Sequence, residues 1–362
     1  MKINIFTPPK FTKQQLDINY LNNLTNKTWH YSVNGRASIY HILKDLKVNK
    51  VLIPVYICST VLEPLKKLNI KPIFYDLDVE DLNPSLDSIK NLSTTYDVKV
   101  ILVASMYGNP ANLIEIEKYC NKNHIFMIDD AAQSFGAKLD NRYIGTFGNA
   151  GFFSFSPGKP TAGHMGSFFW SSKKVEIVRT NHCIVHYFRW LDFYFNRYKI
   201  YDNSFKFFKK IVNLVSRIQM KFIDIINDDI CEFEKEILGG ILELNLNNNF
   251  SFRERYYKEF LNKFRDNNYF KVVDNLYGKS NRHKLILIFM DSKIAEYFIS
   301  YMRQYSIYTS NGYNLLSIDL DKLPNAKKIN KRVVEIPIED NKEKMDYLFE
   351  KVKEFEYRDS KG

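Results

Sequence analysis

Short apolar segments alternate with amphipathic ones between residues 50 and 156, and this alternation constrains the fold more than any other feature of the chain. The apolar segments are continuous runs, which are typical of strands buried on both faces of a parallel sheet. The segments between them carry apolar residues at helical spacing, as Leu113, Ile116 and Cys120 do. The pattern predicts an α/β fold in which helices flank an open, mostly parallel sheet.

The ends of the predicted strands locate a crevice. In open α/β sheets, ligands bind at the carboxyl ends of the strands. Ser105, Asp130 and Ser154 each lie at such an end, so we expect them to share one crevice. The predicted strands span 50–54, 71–77, 98–105, 125–130 and 150–156, and the predicted helices span 59–68, 82–92 and 113–122.

The rest of the chain is expected to form an insert and a smaller domain. Residues 173–225 are rich in aromatic and basic side chains and are predicted to be helical. From about residue 250 onward, two predicted strands and two predicted helices indicate a smaller α+β domain. We therefore predict a large domain over 1–245, which contains the insert, and a small domain over 246–362. The strands predicted in the small domain are 284–290 and 333–338, and its helices are 293–304 and 342–354.

Composition narrows the class of protein. An apolar share of 45% and a charged share of 26% are expected for a soluble globular protein. The N-terminus becomes polar and proline-rich too early for a signal peptide, and no apolar run approaches the ~20 residues of a membrane span. The cysteines form no CxxC pair, which favours a reduced cytoplasmic compartment and argues against a disulfide framework or a metal site. They are Cys58, Cys120, Cys183 and Cys231.

Two stretches suggest a cofactor site. In "MIDDAAQSFGA" (127–137), Asp130 and Gln133 follow a buried strand, and in "FFSFSPGKPTAGHMG" (152–166) Lys159 lies among Ser, Pro and Gly. Pyridoxal phosphate needs an amine that bonds its aldehyde and a carboxylate beside its pyridine nitrogen. Taken singly these features are weak, because a loop lysine is usually solvated and an Asp pair after a strand is often a helix cap. Their order and spacing are what suggest pyridoxal phosphate.

The phosphate of such a cofactor needs hydroxyl groups and free backbone N–H groups. Ser154, five residues before Lys159, offers a hydroxyl. Gly35 precedes a predicted helix, and a helix N-terminus that follows a glycine is a ready site for an anion.

With these motifs in this order, the sequence resembles the DegT/DnrJ/EryC1/StrS family of sugar aminotransferases, which have the fold-type-I pyridoxal-phosphate architecture. The Asp-x-x-Gln and Ser-x4-Lys pair is the most specific part of the resemblance. The other stretches that carry it are "NGRASIYHILKDL", "VLIPVYICSTVLEPL", "PIFYDLD", "VASMYGNPANL", "GTFGNAGFFSFSPGKPTAGHMG" and "LPNAKKINKRVVEIPI".

The resemblance implies a role for each site residue. Lys159 would bond the cofactor and move the proton, Asp130 would pair with the pyridine nitrogen, and Gln133 would bond the ring oxygen. Ser154 and the backbone of Gly35, Arg36 and Ala37 would bind the phosphate. The remaining implied positions are Cys58 (stacking on the cofactor), Ser105 (cofactor binding from a strand end), and Tyr56, His164 and Tyr313 (near the substrate).

The sequence departs from the family pattern at several of these positions. Ser105 stands at a position where the family usually has His. Cys58 stands where the family often has an aromatic residue, and the nearby Tyr56 could take over the role of that residue. His164 and Met165 occupy a turn that is normally small and tight. The Asn that reaches across the dimer in relatives has no clear match; Asp229 is nearest by position. These departures leave the cofactor core intact and the substrate undefined.

The activity implied by the resemblance is transfer of an amino group, with glutamate as donor, to a keto group of a nucleotide-linked sugar. The same resemblance implies a homodimer and a place in polysaccharide or O-antigen biosynthesis. One alternative is a pyridoxal-phosphate enzyme that dehydrates or isomerises the sugar, although the retained Lys159 argues against the dehydratases that lose it. Another is a catalytically weak homologue that binds sugar nucleotides and associates with a membrane.

The formal net charge of +11 is concentrated in the insert, because residues 173–221 hold eleven Lys/Arg and three Asp/Glu. Residues 186–222 interleave aromatic and basic side chains. They are interpreted as helices packed on the large domain or across a dimer interface, or as a segment that rests on anionic lipid. Nucleic-acid binding is the weaker interpretation, because the chain contains no recognised binding motif.

Overall fold

Two β-sheets form the framework of the computed structural model. The described residues are 17–156, 158–160, 165–177, 183–198, 251–317 and 319–356, with residue 3 and isolated residues between 210 and 242. The first sheet has seven strands and the second has four. A two-stranded hairpin of β6 (Lys138–Leu139) and β7 (Arg142–Tyr143) accompanies them.

The seven-stranded sheet confirms the predicted α/β class. Its order is β1-β9-β8-β5-β4-β2-β3. The five strands from β8 to β3 run parallel, and β9 and β1 add an antiparallel edge. Their bounds are β1 His30–Ser32, β2 Lys50–Pro54, β3 Lys71–Tyr75, β4 Val100–Ala104, β5 Phe126–Asp130, β8 Ala150–Ser154 and β9 Ser167–Ser171.

The helices of this part pack their apolar faces on the sheet. In α5, Leu113, Ile116 and Cys120 are buried, as their spacing predicts. One helix differs from prediction: the segment 82–92 was expected to be helical, whereas the helix begins at Leu86 because the Ser85 side chain caps it. The helices are α1 Ile18–Thr25, α2 Gly35–Leu43, α3 Leu62–Lys67, α4 Leu86–Thr95 and α5 Leu113–Lys122.

The four-stranded antiparallel sheet has the order β10-β11-β13-β12. Side chains alternate along β11: Leu285, Leu287 and Phe289 join the core beneath the C-terminal helices, while Ile286 and Ile288 join a core shared with the first sheet. The strands are β10 Phe270–Val272, β11 Leu285–Phe289, β12 Ser310–Asn311 and β13 Val333–Ile336. The helices are α7 Ser251–Phe264, α8 Ser292–Gln304, α9 Pro324–Ile329 and α10 Lys342–Lys353.

The predicted insert contains one described helix, α6 (Cys183–Tyr198). Much of the remaining insert, and the predicted domain boundary at 245/246, lie outside the described residues. Cys183 forms a disulfide with Cys231, with Cα atoms 5.6 Å apart, so the expectation of no disulfide was wrong. The partners are 48 residues apart, and spacing alone cannot reveal such a pair. Within the described part of the chain, no helix has the length and apolarity needed to cross a membrane.

Candidate active site

A cavity of about 450 Å³ opens where the parallel strands of the first sheet end, and residues from the second sheet complete its wall. Residues at the ends of β4, β5 and β8 line it, as the strand-end rule predicts. Nine predicted site residues line this cavity: Gly35, Arg36, Cys58, Ser105, Asp130, Gln133, Ser154, Lys159 and Tyr313.

Lys159 is half-buried in the loop that follows β8. Its backbone N–H donates to the carbonyl of Ser156 at 3.2 Å. Burial lowers the pKa of the Lys159 amine, and the nearby charge of Asp130 opposes that shift. The amine is therefore easier to deprotonate than that of a solvated lysine.

Two residues of the C-terminal half hold the Lys159 loop. The guanidinium of Arg253, on α7, donates to the carbonyl of Pro160, and the ring Nε2 of His283 bonds the carbonyl of Gly158 at 3.0 Å. Burial lowers the pKa of His283 well below its ordinary value, so the ring is neutral and its Nε2–H serves as the donor. The carbonyls on both sides of Lys159 are thereby fixed.

Asp130 ends β5 and is buried at the cavity wall. One of its carboxylate oxygens accepts the backbone N–H of Ala132 at 2.9 Å. Burial raises the pKa of Asp130 to about 6, against the opposing effects of the Ala132 hydrogen bond and the charge of Lys159. A cationic group placed beside this carboxylate would favour its ionised form.

Strand alternation separates the two adjacent acids. Asp129 points to the other face of β5, where its carboxylate accepts the N–H groups of Gly145 at 2.6 Å and Phe147 at 3.0 Å. Burial raises the pKa of Asp129 to about 8. Asp129 therefore organises the loop before β8, while Asp130 is the acid that faces the cavity.

Gln133 is held by the backbone of the loop after β4. Its Oε1 accepts the N–H of Tyr107 at 3.2 Å, and its own carbonyl accepts a hydrogen bond from Asn281 at 3.0 Å. Because Oε1 is engaged, the side-chain orientation is fixed at the cavity wall.

The first turn of α2 forms one end of the cavity. Asn34, Gly35 and Arg36 line it there, beside Ser154 of β8. A Cβ atom at Gly35 would lie 3.3 Å from the Cβ of Ser154, so the helix and strand meet closely at this point. The Nδ2 of buried Asn34 has no hydrogen-bond partner among the described residues. Unused N–H donors at a helix N-terminus suit an anionic ligand.

Ala37 does not lie on the cavity. Its N–H donates to the side chain of Asn34 at 3.0 Å, which is the N-cap of α2, and its methyl group is buried in the core. The phosphate role implied for the Ala37 N–H therefore competes with a helix cap.

The other implied site residues occupy varied positions. The Sγ of Cys58 is 3.1 Å from the Oγ1 of Thr60, and the Oγ of Ser105 accepts the N–H of Ala111 at 3.1 Å. Tyr56 lies behind the cavity, where its hydroxyl accepts the N–H of Tyr313 at 3.2 Å. His164 and Asp229 lie outside the described residues.

The sequence patterns do not single out Asn34, Lys284 or Glu335, although all three line the cavity. The N-cap pattern before α2 could have indicated Asn34. Lys284 and Glu335 form an ion pair across the second sheet, and nothing local in the sequence links two residues so far apart. Among the described residues, no group of three or more His, Cys, Asp or Glu side chains could hold a metal ion.

Comparisons with known proteins agree with this geometry. Residues 32–178 match the model of the DegT/DnrJ/EryC1/StrS aminotransferase family. A GDP-4-keto-6-deoxy-D-mannose 3-dehydratase of Escherichia coli O55:H7 is 34% identical over 30% of this chain and 28% of its own length. A GDP-perosamine synthase of Escherichia coli O157:H7 is 30% identical over 34% of each chain. The chain thus spans only about a third of the curated relatives that it matches in sequence.

The structural likeness extends much further along the chain. A DegT DnrJ EryC1 StrS aminotransferase from Brucella abortus superimposes with a TM-score of 0.70, at 17% identity, over 93% of this chain and 88% of that one. The likeness confirms the fold-type-I architecture for nearly the whole chain.

Proposed function

We propose that the chain, whose residues 32–178 match the model of the DegT/DnrJ/EryC1/StrS aminotransferase family, is a pyridoxal-phosphate-dependent aminotransferase that aminates a keto group of a nucleotide-linked sugar. The observation that carries the proposal is the meeting of Lys159 and Asp130 in one cavity. An amine of lowered pKa and a buried carboxylate are the two groups that this cofactor chemistry requires.

The residues around the cavity fit pyridoxal phosphate. Lys159 would bond the aldehyde carbon, and Asp130 would accept the pyridine N–H. The phosphate would be held at the N-terminus of α2, where Asn34 has an unused donor and Ser154 supplies a hydroxyl. Gln133 would bond the ring oxygen and Cys58 would lie against the ring.

The bound cofactor would supply an electron sink that acidifies the C–H bond next to the donor's amino group. Lys159 would move that proton, and its lowered pKa would keep part of the amine in the basic form. Asp130, ionised beside the cationic pyridine, would hold the proton on the ring nitrogen. One site would serve both half-reactions, so ping-pong kinetics follow.

Glutamate is the proposed amino donor, and a homodimer in the cytoplasm is the proposed assembly. The family resemblance supports the donor, and it supports the dimer because the partner subunit completes the site in relatives. Sedimentation velocity would test the dimer. The retained Lys159 favours amination over the reaction of those dehydratases that lose this lysine.

The insert at 186–222 is proposed to rest on anionic lipid at the membrane surface. Most of this segment lies outside the described residues, and its described part exposes Tyr187, Ile211 and Leu214 together with the basic Lys210. Exposed apolar and basic side chains together suit a head-group surface. Flotation with anionic and neutral vesicles tests the idea, and equal recovery with both would refute it.

A product assay tests the proposed activity. The purified protein would be loaded with pyridoxal phosphate and given glutamate, then GDP-4-keto-6-deoxy-D-mannose or UDP-N-acetyl-3-dehydro-glucosamine. An amino sugar nucleotide in the mass spectrum supports aminotransfer, whereas loss of water without gain of nitrogen supports dehydration. Absence of any cofactor absorbance that responds to glutamate would refute both.

A further inference from the structure

A buried ion pair stands in the cavity wall formed by the second sheet. Lys284, just before β11, pairs with Glu335 of β13, and their side chains are 9% and 7% exposed. The hydroxyl of Ser310 donates to the same Glu335 carboxylate at 3.1 Å. Both charged residues line the cavity that contains Lys159.

The pair lies on an otherwise apolar face. Alternation along β11 and β13 places Ile286, Ile288 and Val333 on the same side, where they pack in the core shared by the two sheets. An ion pair buried in such a position gives little net stability, because desolvation cancels most of its attraction. A contribution to stability therefore does not explain well why two charged residues are buried at this place.

Its chemistry matches a sugar hydroxyl group. The ammonium of Lys284 has three N–H donors and uses one on Glu335, and the carboxylate keeps lone pairs beyond those that Lys284 and Ser310 occupy. A donor and an acceptor side by side satisfy a hydroxyl, which both donates and accepts. The pair carries no net charge, so it does not attract the carboxylates of an amino donor.

We propose that Lys284 and Glu335 determine sugar specificity by hydrogen bonding hydroxyl groups of the sugar ring. This inference rests on the proposed function, since it assigns the same cavity to a nucleotide-linked sugar. The amino donor would not need the pair, so the two half-reactions would respond differently when it is changed.

Calorimetric binding separates this role from a structural one. Two pairs of ligands are compared: GDP-4-keto-6-deoxy-D-mannose with GDP, and UDP-N-acetylglucosamine with UDP. The affinity for each ligand is measured for the wild-type protein and for Glu335→Gln. We expect Glu335→Gln to bind the preferred sugar nucleotide about ten- to hundred-fold more weakly and the bare nucleotide as wild type does.

Glu339→Gln is the matched control, because Glu339 also pairs with a lysine, Lys344, but does not line the cavity. It should leave both affinities unchanged. The proposal is overturned if Glu335→Gln loses equal affinity for the sugar nucleotide and the bare nucleotide, or if it loses none. The proposal is also overturned if the wild-type protein binds neither sugar nucleotide more tightly than the corresponding bare nucleotide. A wild type that binds the sugar but never aminates it refutes the proposed function, while the binding comparison still decides the role of the pair.

Discussion

Arg253 donates a hydrogen bond to the carbonyl oxygen of Pro160 at 2.6 Å, so a helix of the C-terminal half fixes the loop that presents Lys159. His283 bonds the carbonyl on the other side of the lysine. The position of the amine thus depends on residues about a hundred positions further along the chain. Because misplacement of a reacting group by about 1 Å costs roughly a hundred-fold in rate, these contacts bear directly on activity.

Arg253→Met should lower the rate of amino transfer by at least about ten-fold, because the loop loses the hydrogen bond that fixes the Pro160 carbonyl. Arg255→Met, on the exposed face of the same helix, is the control and should retain the wild-type rate. Rates under single-turnover conditions and thermal unfolding would be measured together. Equal rates for both variants would show that Pro160 needs no anchor.

Lys159→Ala should abolish amino transfer and the cofactor absorbance that responds to glutamate, because the amine proposed to bond the cofactor and to move the proton is lost. Lys327→Ala, at an exposed lysine, should have no effect. A wild-type rate in Lys159→Ala would mean that the site is assigned wrongly.

Asp130→Asn should keep the cofactor bound but slow proton abstraction by about a hundred-fold or more, because a neutral amide cannot hold the proton on the ring nitrogen. Asp140→Asn, at an exposed position, serves as the control. Stopped-flow absorbance after glutamate addition measures the step, and unchanged kinetics would argue against the role of Asp130.

Gly35→Ala should weaken cofactor binding about ten-fold with little loss of fold stability. The added Cβ would lie 3.3 Å from both the Phe152 ring and the Ser154 Cβ, so it would press on the proposed phosphate site. Ser292→Ala, at the first position of α8, is a control for a change in a helix's first turn. Titration of the cofactor-free protein with pyridoxal phosphate gives the affinities. A wild-type affinity for Gly35→Ala would contradict the proposed phosphate site at the N-terminus of α2.

Asp129 should make the free energy of unfolding fall as pH rises. Its folded pKa of about 8 lies above the usual 3.8, so the folded state holds the proton more tightly. The resulting stability is complete below about pH 4 and is lost as pH rises through 8. Asp129→Asn has no proton to lose and should flatten the dependence between about pH 4 and 8, measured by urea unfolding.

The exposed Asp140→Asn variant should keep the wild-type slope. Parallel curves for Asp129→Asn and wild type would show that Asp129 is already ionised at neutral pH.

Local patterns predicted much of this structure and failed where contacts are distant. The apolar run 50–54 and the helical spacing of 113–122 coincide with β2 and α5, because burial on a regular element leaves a period in the sequence. The start of α4 was predicted four residues too early, since the apolar Leu82 lies between a turn at 79–81 and a β-bridge of Pro84 with Leu77 that the periodicity does not register.

Contacts between residues that are distant along the chain produce no such periodic pattern in the sequence. The Lys284–Glu335 pair and the Cys183–Cys231 disulfide each join residues about fifty positions apart, and only the folded topology brings them together. The identity of the cavity-facing acid is settled by the pleat of β5, which turns Asp129 away.

The cavity is built from two stretches of chain with separate duties. Residues 34–159 supply the groups proposed to bind the cofactor. Lys284, Glu335 and Tyr313, from the C-terminal half of the chain, line the same cavity. Exchange of the C-terminal stretch between relatives would therefore create chimeras with altered sugar preference and an unaltered vitamin B6 pocket. Under the proposed function, a change of sugar substrate requires variation in one stretch only, while the other is inherited intact.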